Sequence, residues 1–458
     1  MLANGYSKPY PSAQRTLRHQ SIPMLFANSK PFRFLLLSLL LPASLYAQLP
    51  QHFEGLARTQ VQYLESQSKV LESGTSPLNL SLHLPAGQSL NATLSGLRQQ
   101  LINLPAITKA DFAIDSSAGQ PVAVNWQIEE ARTLFPLLDI GGVKDNLYYL
   151  LGLTDFHFRG RGQSLTAFYQ NIDSEHNYYL GFTNPNWKGS RWGYRVESQR
   201  YAAVEPLFFP TTVRYIYANL SFGAGLSYTT PNRHVFRFGL SNFYEHYRKT
   251  EAEPGSPGPE ELDLNKGLLK LSHGYRKLDY HWERLEGITN ETVLQTVRTF
   301  GGNADDFVIG WHDFRYYRMS GRFSNFALRL RAGISTNVNS PFAPFVLDSQ
   351  VNIRGSGNRI DRGTAQLVFN LEYRLTAWKD QKDRFAVQAV GFSDLGSWRN
   401  PGGDISDIWD ERNFRHFVGG GVRLISLKAY NAVLRLDYGV DVRNTRERGF
   451  VAGFGQYF

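Results

Sequence analysis

Residues 431–443 read NAVLRLDYGVDVR, and two chemically opposite faces run through them. Leu434, Leu436, Tyr438, Val440 and Val442 hold alternate positions, with Arg435, Asp437, Gly439, Asp441 and Arg443 between them. Successive side chains of a strand point to opposite sides, so the pattern is a β-strand with one apolar and one charged face. A lipid-facing barrel strand has this design, apolar outward and polar inward. A soluble sandwich strand turned the other way has it too, so alternation by itself leaves both open.

Features further along the chain decide for the membrane. From Asp139 to Phe458, amphipathic segments separated by Gly, Asn, Asp and Pro repeat for 320 residues without a helical period. The segment 450–458, FVAGFGQYF, places Phe450, Ala452, Phe454, Gln456 and Phe458 on one face and ends in an aromatic residue, as outer-membrane barrels do. Residues 31–48, PFRFLLLSLLLPASLYAQ, combine a basic flank with an apolar run from Phe34 to Leu41. A spanning helix needs about 20 apolar residues, so this shorter run is read as an export signal, residues 1–47, with Met24 an alternative start. The 312 residues from 147 to 458 give roughly 20 per strand and turn for about 16 strands. The expected fold is therefore mainly β: a transmembrane antiparallel β-barrel of about 16 strands over 139–458.

A smaller module precedes it. LNLSLHL (78–84) alternates like a strand, and Leu90, Leu94, Leu97 and Leu101 recur at helical spacing behind Ser89. Phe112 and Ile114, then Val122, Val124, Trp126 and Ile128, alternate again. The order strand, helix, strand, strand predicts a small α+β domain over 78–135, with 48–77 a linker or weak helix (Phe53, Leu56, Ala57, Val61, Leu64).

Composition removes other classes. There is no Cys, which excludes disulfide scaffolds, thiolate metal sites and thiol chemistry. The net charge of +9 owes five cations to the first 47 residues; beyond them 44 Lys and Arg face 40 acids, with no basic cluster for nucleic acid. His234, His246, His273, His281, His312 and His416 have no metal-ligand spacing, and Asp404, Asp407, Asp410 and Glu411 read as a solvated loop. No metal, no cofactor and no catalytic constellation is expected.

Three stretches carry a family resemblance. Residues 151–187 hold a strand, the hairpin Phe158–Gly162, two further strands and Thr183-Asn-Pro-Asn-Trp187; residues 352–375 read NIRGSGNRIDRGTAQLVFNLEYRL; residues 391–397 read GFSDLGS. In this order they resemble the opening hairpins, the loop motif (β-branched residue, Arg, Gly, aromatic) and the Phe-x-Asp-x-Gly strand motif of BamA/TamA-type outer-membrane proteins. The loop motif falls on Ile353, Arg354 and Gly355, with Ser356 where the family has its ring; the strand motif falls on Phe392, Asp394 and Gly396.

The resemblance implies a loop folded into the barrel lumen, with Arg354 bound to Glu372 and Asp394 on the wall. It implies that the N-terminal module is a POTRA-like periplasmic domain. It also implies a weak seam between the first strand, expected near Leu147–Leu153, and a last strand over 450–458, loosened by Gly449, Gly453 and Gly455, with Phe454 and Phe458 as terminal signal. The implied role is insertion of outer-membrane proteins by seam opening and β-augmentation, in the outer membrane of a Gram-negative bacterium. Expected partners are membrane lipid, unfolded polypeptide clients, and periplasmic chaperones or lipoproteins. A two-partner-secretion exporter and a passive solute channel are the alternatives; the channel needs neither the module nor the Arg354–Asp394 pair.

Overall fold

The computed structural model describes residues 90–458 except 105, 116–122, 144–145, 173, 209–211, 252–255, 302–305, 338–342, 350, 358–360 and 430–431. The expected export signal, the segment 48–77 and the strand over 78–84 lie outside the described residues. The leucine spacing at 90–101 forms helix α1 (Leu90–Ile102). A hairpin follows, β1 (Ile107–Asp115) and β2 (Ala123–Glu130), with Ala110 opposite Ile128. Leu94 and Leu101 close over Ile107 and Ala110 to bury a small apolar core. Polar contacts tie this unit to the strands beyond it: Asn103 donates to the Asp279 carboxylate (3.0 Å) and accepts from the Tyr280 amide (3.0 Å), Gln99 donates to the Tyr280 carbonyl (3.1 Å), Lys428 pairs with Glu129, and the Arg132 amide donates to the Lys428 carbonyl (3.2 Å).

Eleven long strands come next, from β3 (Leu134–Val143), β4 (Asn146–Phe158), β5 (Gln163–Ile172) and β6 (Glu175–Asn184) to β7 (Trp192–Phe208) and β8 (Thr212–Thr229). They continue with β9 (His234–Glu251), β10 (Glu261–His281), β11 (Arg284–Phe300), β12 (Phe307–Met319) and β13 (Ser324–Ser335). A long loop then holds the short pair β14 (Phe345–Leu347) and β15 (Asp361–Gly363). The last five strands are β16 (Ala365–Lys379), β17 (Phe385–Arg399), β18 (Phe414–Ser426), β19 (Val433–Asp441) and β20 (Arg448–Phe454). Apart from β1, β2, β14 and β15, all join one closed antiparallel barrel of sixteen strands in which β20 returns to β3.

The burial pattern is inside out. On β19 the charged face is buried, Arg435 at 5 % and Asp437 at 1 % exposure, and the apolar face is open, Leu436 at 54 %. The same reversal places Leu151, Leu180, Leu220, Phe222, Leu240, Leu294 and Ile334 outward. Water would make this surface unfavourable and hydrocarbon makes it stable, so the barrel is a membrane barrel. Outward-facing rings gather toward both strand ends. Tyr149 and Tyr178 flank Tyr169 toward the long-loop end, and Trp192 lies against Tyr228 (ring centres 5.0 Å apart, tilted) at the short-turn end, as interfacial girdles do.

The barrel closes differently from the expectation at both of its ends. The strand containing Leu147–Leu153 is β4, the second of the barrel; the closing partner of β20 is β3, which starts ahead of Asp139. Pro136 and the Gly141–Gly142 pair interrupt the apolar alternation there and hide the strand in the sequence, because Pro has no ladder donor and Gly no side chain to mark a face. Pro136 pairs with Leu153 but lies outside the register with β20. The last strand ends at Phe454 instead of running to Phe458: Gly455 takes φ +85°, and the chain leaves the sheet.

Candidate functional site

The loop between β13 and β16 folds against the inner wall, and Ile353, Arg354 and Gly355 sit at its deepest point, with Ile353 and Arg354 fully buried. Local hydrogen bonds shape it. The Ile353 amide donates to the Asp348 carbonyl (2.8 Å), the Ser356 hydroxyl to the Ile353 carbonyl (2.8 Å), and the Gly357 amide to the Ser349 hydroxyl (2.6 Å). Ile353 packs with Leu347 of the loop and with Val368, Trp398 and Phe417 of the wall. A Cβ at Gly396 would meet the Ile353 side chain at 2.8 Å, so this strand glycine makes room for the loop's apolar anchor.

Arg354 meets Asp394 in a fork. Nε donates to Oδ2 and Nη2 to Oδ1, each at 2.8 Å, and the Arg354 amide adds a third bond to Oδ2 (3.0 Å). The paired geometry suits a planar guanidinium and gives direction as well as attraction. Its Nη1 lies 3.4 Å from Glu372 Oε1, and its Cζ stands 3.8 Å from the centre of the Phe392 ring. Phe392, Asp394 and Gly396 reach the loop together because alternate residues of β17 share the lumen face.

Glu372 is the centre of a larger network. Besides Arg354 it binds Arg374 (3.0 Å) and Arg423 (3.1 Å), and Arg423 also binds Asp437 (2.7 Å). Three guanidiniums thus face three carboxylates, all at 1 % exposure or less. Asn370 links the layers, donating to the Asn352 carbonyl (2.7 Å) and to Asp394 (2.9 Å). In so dry a site an unpaired charge is costly, so the set is stable only while complete.

Sequence motifs did not point to Arg374, Arg423 or Asn370. The available signal was parity: Asn370 and Arg374 flank Glu372 at two-residue spacing on one strand. The rest of the loop has separate anchors, since Arg329 donates to the Val351 carbonyl (2.7 Å) and Arg362 pairs with Glu205 on β7. Among the expected seam residues, Gly449, Gly453 and Phe454 lie on β20; Gly455 and Phe458 lie beyond it, and Phe458 is buried. In the acidic 404–411 loop, Asp404 caps Ile405 (3.0 Å) and Asp410 pairs with Arg412 (2.6 Å).

Residues 157–458 match the model of the Omp85 superfamily domain. The chain belongs to the Omp85 superfamily. Among solved structures, CdiB from Escherichia coli is similar at 13 % identity and TM-score 0.53, covering 81 % of this chain and 72 % of its own. BamA from Haemophilus ducreyi lacking POTRA domains 1–3 is similar at 14 % identity and TM-score 0.47, with coverages of 81 % and 80 %. CdiB from Acinetobacter baumannii follows at 13 % and 0.49, with coverages of 77 % and 66 %. No curated protein matches this chain.

Proposed function

We propose that this Omp85 chain lies in the outer membrane of a Gram-negative bacterium and inserts outer-membrane proteins or passes polypeptides across that membrane, with the β3–β20 seam as its working edge. The observation that carries this reading is the shortness of the seam. Four residue pairs join β20 to β3, Phe450–Gly142 through Gly453–Asp139, whereas seventeen join β7 to β8. Backbone hydrogen bonds have no competing water in lipid, so a barrel opens where fewest must break. Gly141, Gly142, Gly449 and Gly453 leave the seam poor in side-chain packing. An opened edge offers unpaired N–H and C=O groups to which an unfolded client strand can add.

In this reading the Arg354–Gly355 loop, seated by Ile353 and held by Glu372, Asp394, Phe392 and Gly396, keeps the β16–β18 wall fixed while the seam moves. Helix α1 and the β1–β2 hairpin belong to a POTRA-like periplasmic module that receives clients from chaperones or lipoproteins. The work is mechanical; it uses no catalytic group, metal or cofactor.

The test is a seam clamp. Ile140 and Ala452 are directly opposed, and the native chain has no Cys, so Ile140→Cys with Ala452→Cys forms one defined disulfide. We expect outer-membrane barrel proteins or a secreted polypeptide to fall in abundance when it is oxidised and to recover on reduction. A control clamp, Val422→Cys with Leu436→Cys between β18 and β19, should have no effect. Normal client levels with the seam fully clamped would sink the lateral-opening reading. A change in solute uptake alone would favour the channel.

A further inference from the structure

Beyond Gly455 the chain turns into the lumen. The Tyr457 ring centre lies 4.4 Å from Arg354 Cζ, so two rings, Phe392 and Tyr457, flank the loop guanidinium. Its hydroxyl donates to the carbonyl of Ser349 in the same loop (3.1 Å), and Arg435 of β19 stands 5.2 Å from the same ring. The Phe458 carbonyl accepts from Arg374 (3.2 Å), and the Phe458 side chain is buried with Leu278, Tyr317 and Ala327. Those three residues sit on β10, β12 and β13, and β13 is the fifth strand around the barrel from β20. The segment therefore links the seam strand to the loop tip through Tyr457 and to the β10, β12 and β13 wall through Phe458.

We propose that Gly455–Phe458 is a strap that makes seam opening and loop release a single transition, with Tyr457 the positioning residue for Arg354. The strap grows directly out of β20. If β20 moves away from β3, it draws Tyr457 off the guanidinium and off the Ser349 carbonyl; if the loop leaves the wall, the strap loses both of those partners. The loop carries Ser356 where the related motif has a ring, and Tyr457 adds a second ring, beside that of Phe392, against its arginine. Gly455 at φ +85° supplies the bend that lets a membrane strand turn inward.

Coupling of two sites is reciprocal, so a lock on the seam should protect the loop, and in this proposal the strap carries most of that effect. The proposal rests on the seam as the opening edge, yet its test uses no client, so failure of the client experiment leaves it readable. The full chain in bilayers carries Ser356→Cys, buried at 6 % exposure, as a reporter for a membrane-impermeant maleimide. Labelling is timed with and without the oxidised Ile140→Cys/Ala452→Cys clamp, and heat-modifiable gel mobility verifies that each variant is folded. We expect the clamp to slow labelling about tenfold with Tyr457 present and less than twofold with Tyr457→Ala. Tyr457→Phe keeps the ring and should keep most of the clamp effect; Tyr457→Leu asks the same question should the alanine variant not fold. A clamp effect that is absent, or equal with and without the ring, would overturn the strap.

Discussion

Arg354 and Asp394, forty residues apart in the chain, are joined by two parallel N–H···O bonds of 2.8 Å inside the lumen, both side chains fully buried. A loop held inside a wide barrel loses conformational entropy, and a forked, charge-assisted contact in a dry setting offsets that loss. Removing one partner leaves the other charge buried and alone, at a cost of about 3–5 kcal/mol. For Arg354→Ala we expect faster proteolysis within 336–364 and loss of the heat-resistant folded band at lower temperature. Arg354→Lys keeps the charge without the fork and should fall between the two.

Glu372 should matter more than Asp394. It is shared by Arg354, Arg374 and Arg423, so Glu372→Gln leaves three neighbouring cations with two carboxylates. Asp394→Asn removes an acceptor from Arg354 alone among the arginines. The midpoint of thermal unfolding in detergent should drop further for Glu372→Gln, and an equal or smaller drop would mean the network does not act as a unit.

Gly355 and Gly439 test the close approach of loop and wall. Gly355 has φ +92°, and a Cβ on it would lie 2.7 Å from the Gly439 Cα and carbonyl oxygen. Gly355→Ala meets strain and clash together, and Gly439→Ala meets the loop backbone from the other side. Each should expose the loop to protease, and the double variant should cost clearly less than the sum, since either change already lifts the loop.

The outward face can be tested on β19, where the fold was first legible. Leu436→Arg puts a cation on the lipid face, and near the bilayer midplane that costs about 2–4 kcal/mol. Refolding into lipid vesicles should show the loss, while in detergent micelles the effect should shrink. Equal stability in both would argue against lipid contact at this position.

Much of this could be read locally. Period-two alternation is a property of each segment, so NAVLRLDYGVDVR announced a strand, and Phe392, Asp394 and Gly396 announced one shared face, before any partner was known. The leucines of α1 were equally plain, because helical spacing is local too. β3 was not, since Pro136 and Gly141–Gly142 break the very alternation that marks a strand, and only its pairing with β4 and β20 reveals it.

The sequence by itself determined the strand faces, carried by spacing within short stretches, while the lumen loop with its arginine and neighbouring glycine came from the resemblance of the Ile353-Arg354-Gly355 motif to BamA/TamA-type proteins. Tertiary structure decided which strand closes the barrel, which carboxylate serves three arginines, and that Tyr457 and Phe458 turn away from the lipid into the lumen. These depend on closure. Only when β20 meets β3 do residues hundreds apart share one dry interior, where an aromatic ring and a guanidinium gain more from each other than either gains from solvent or lipid.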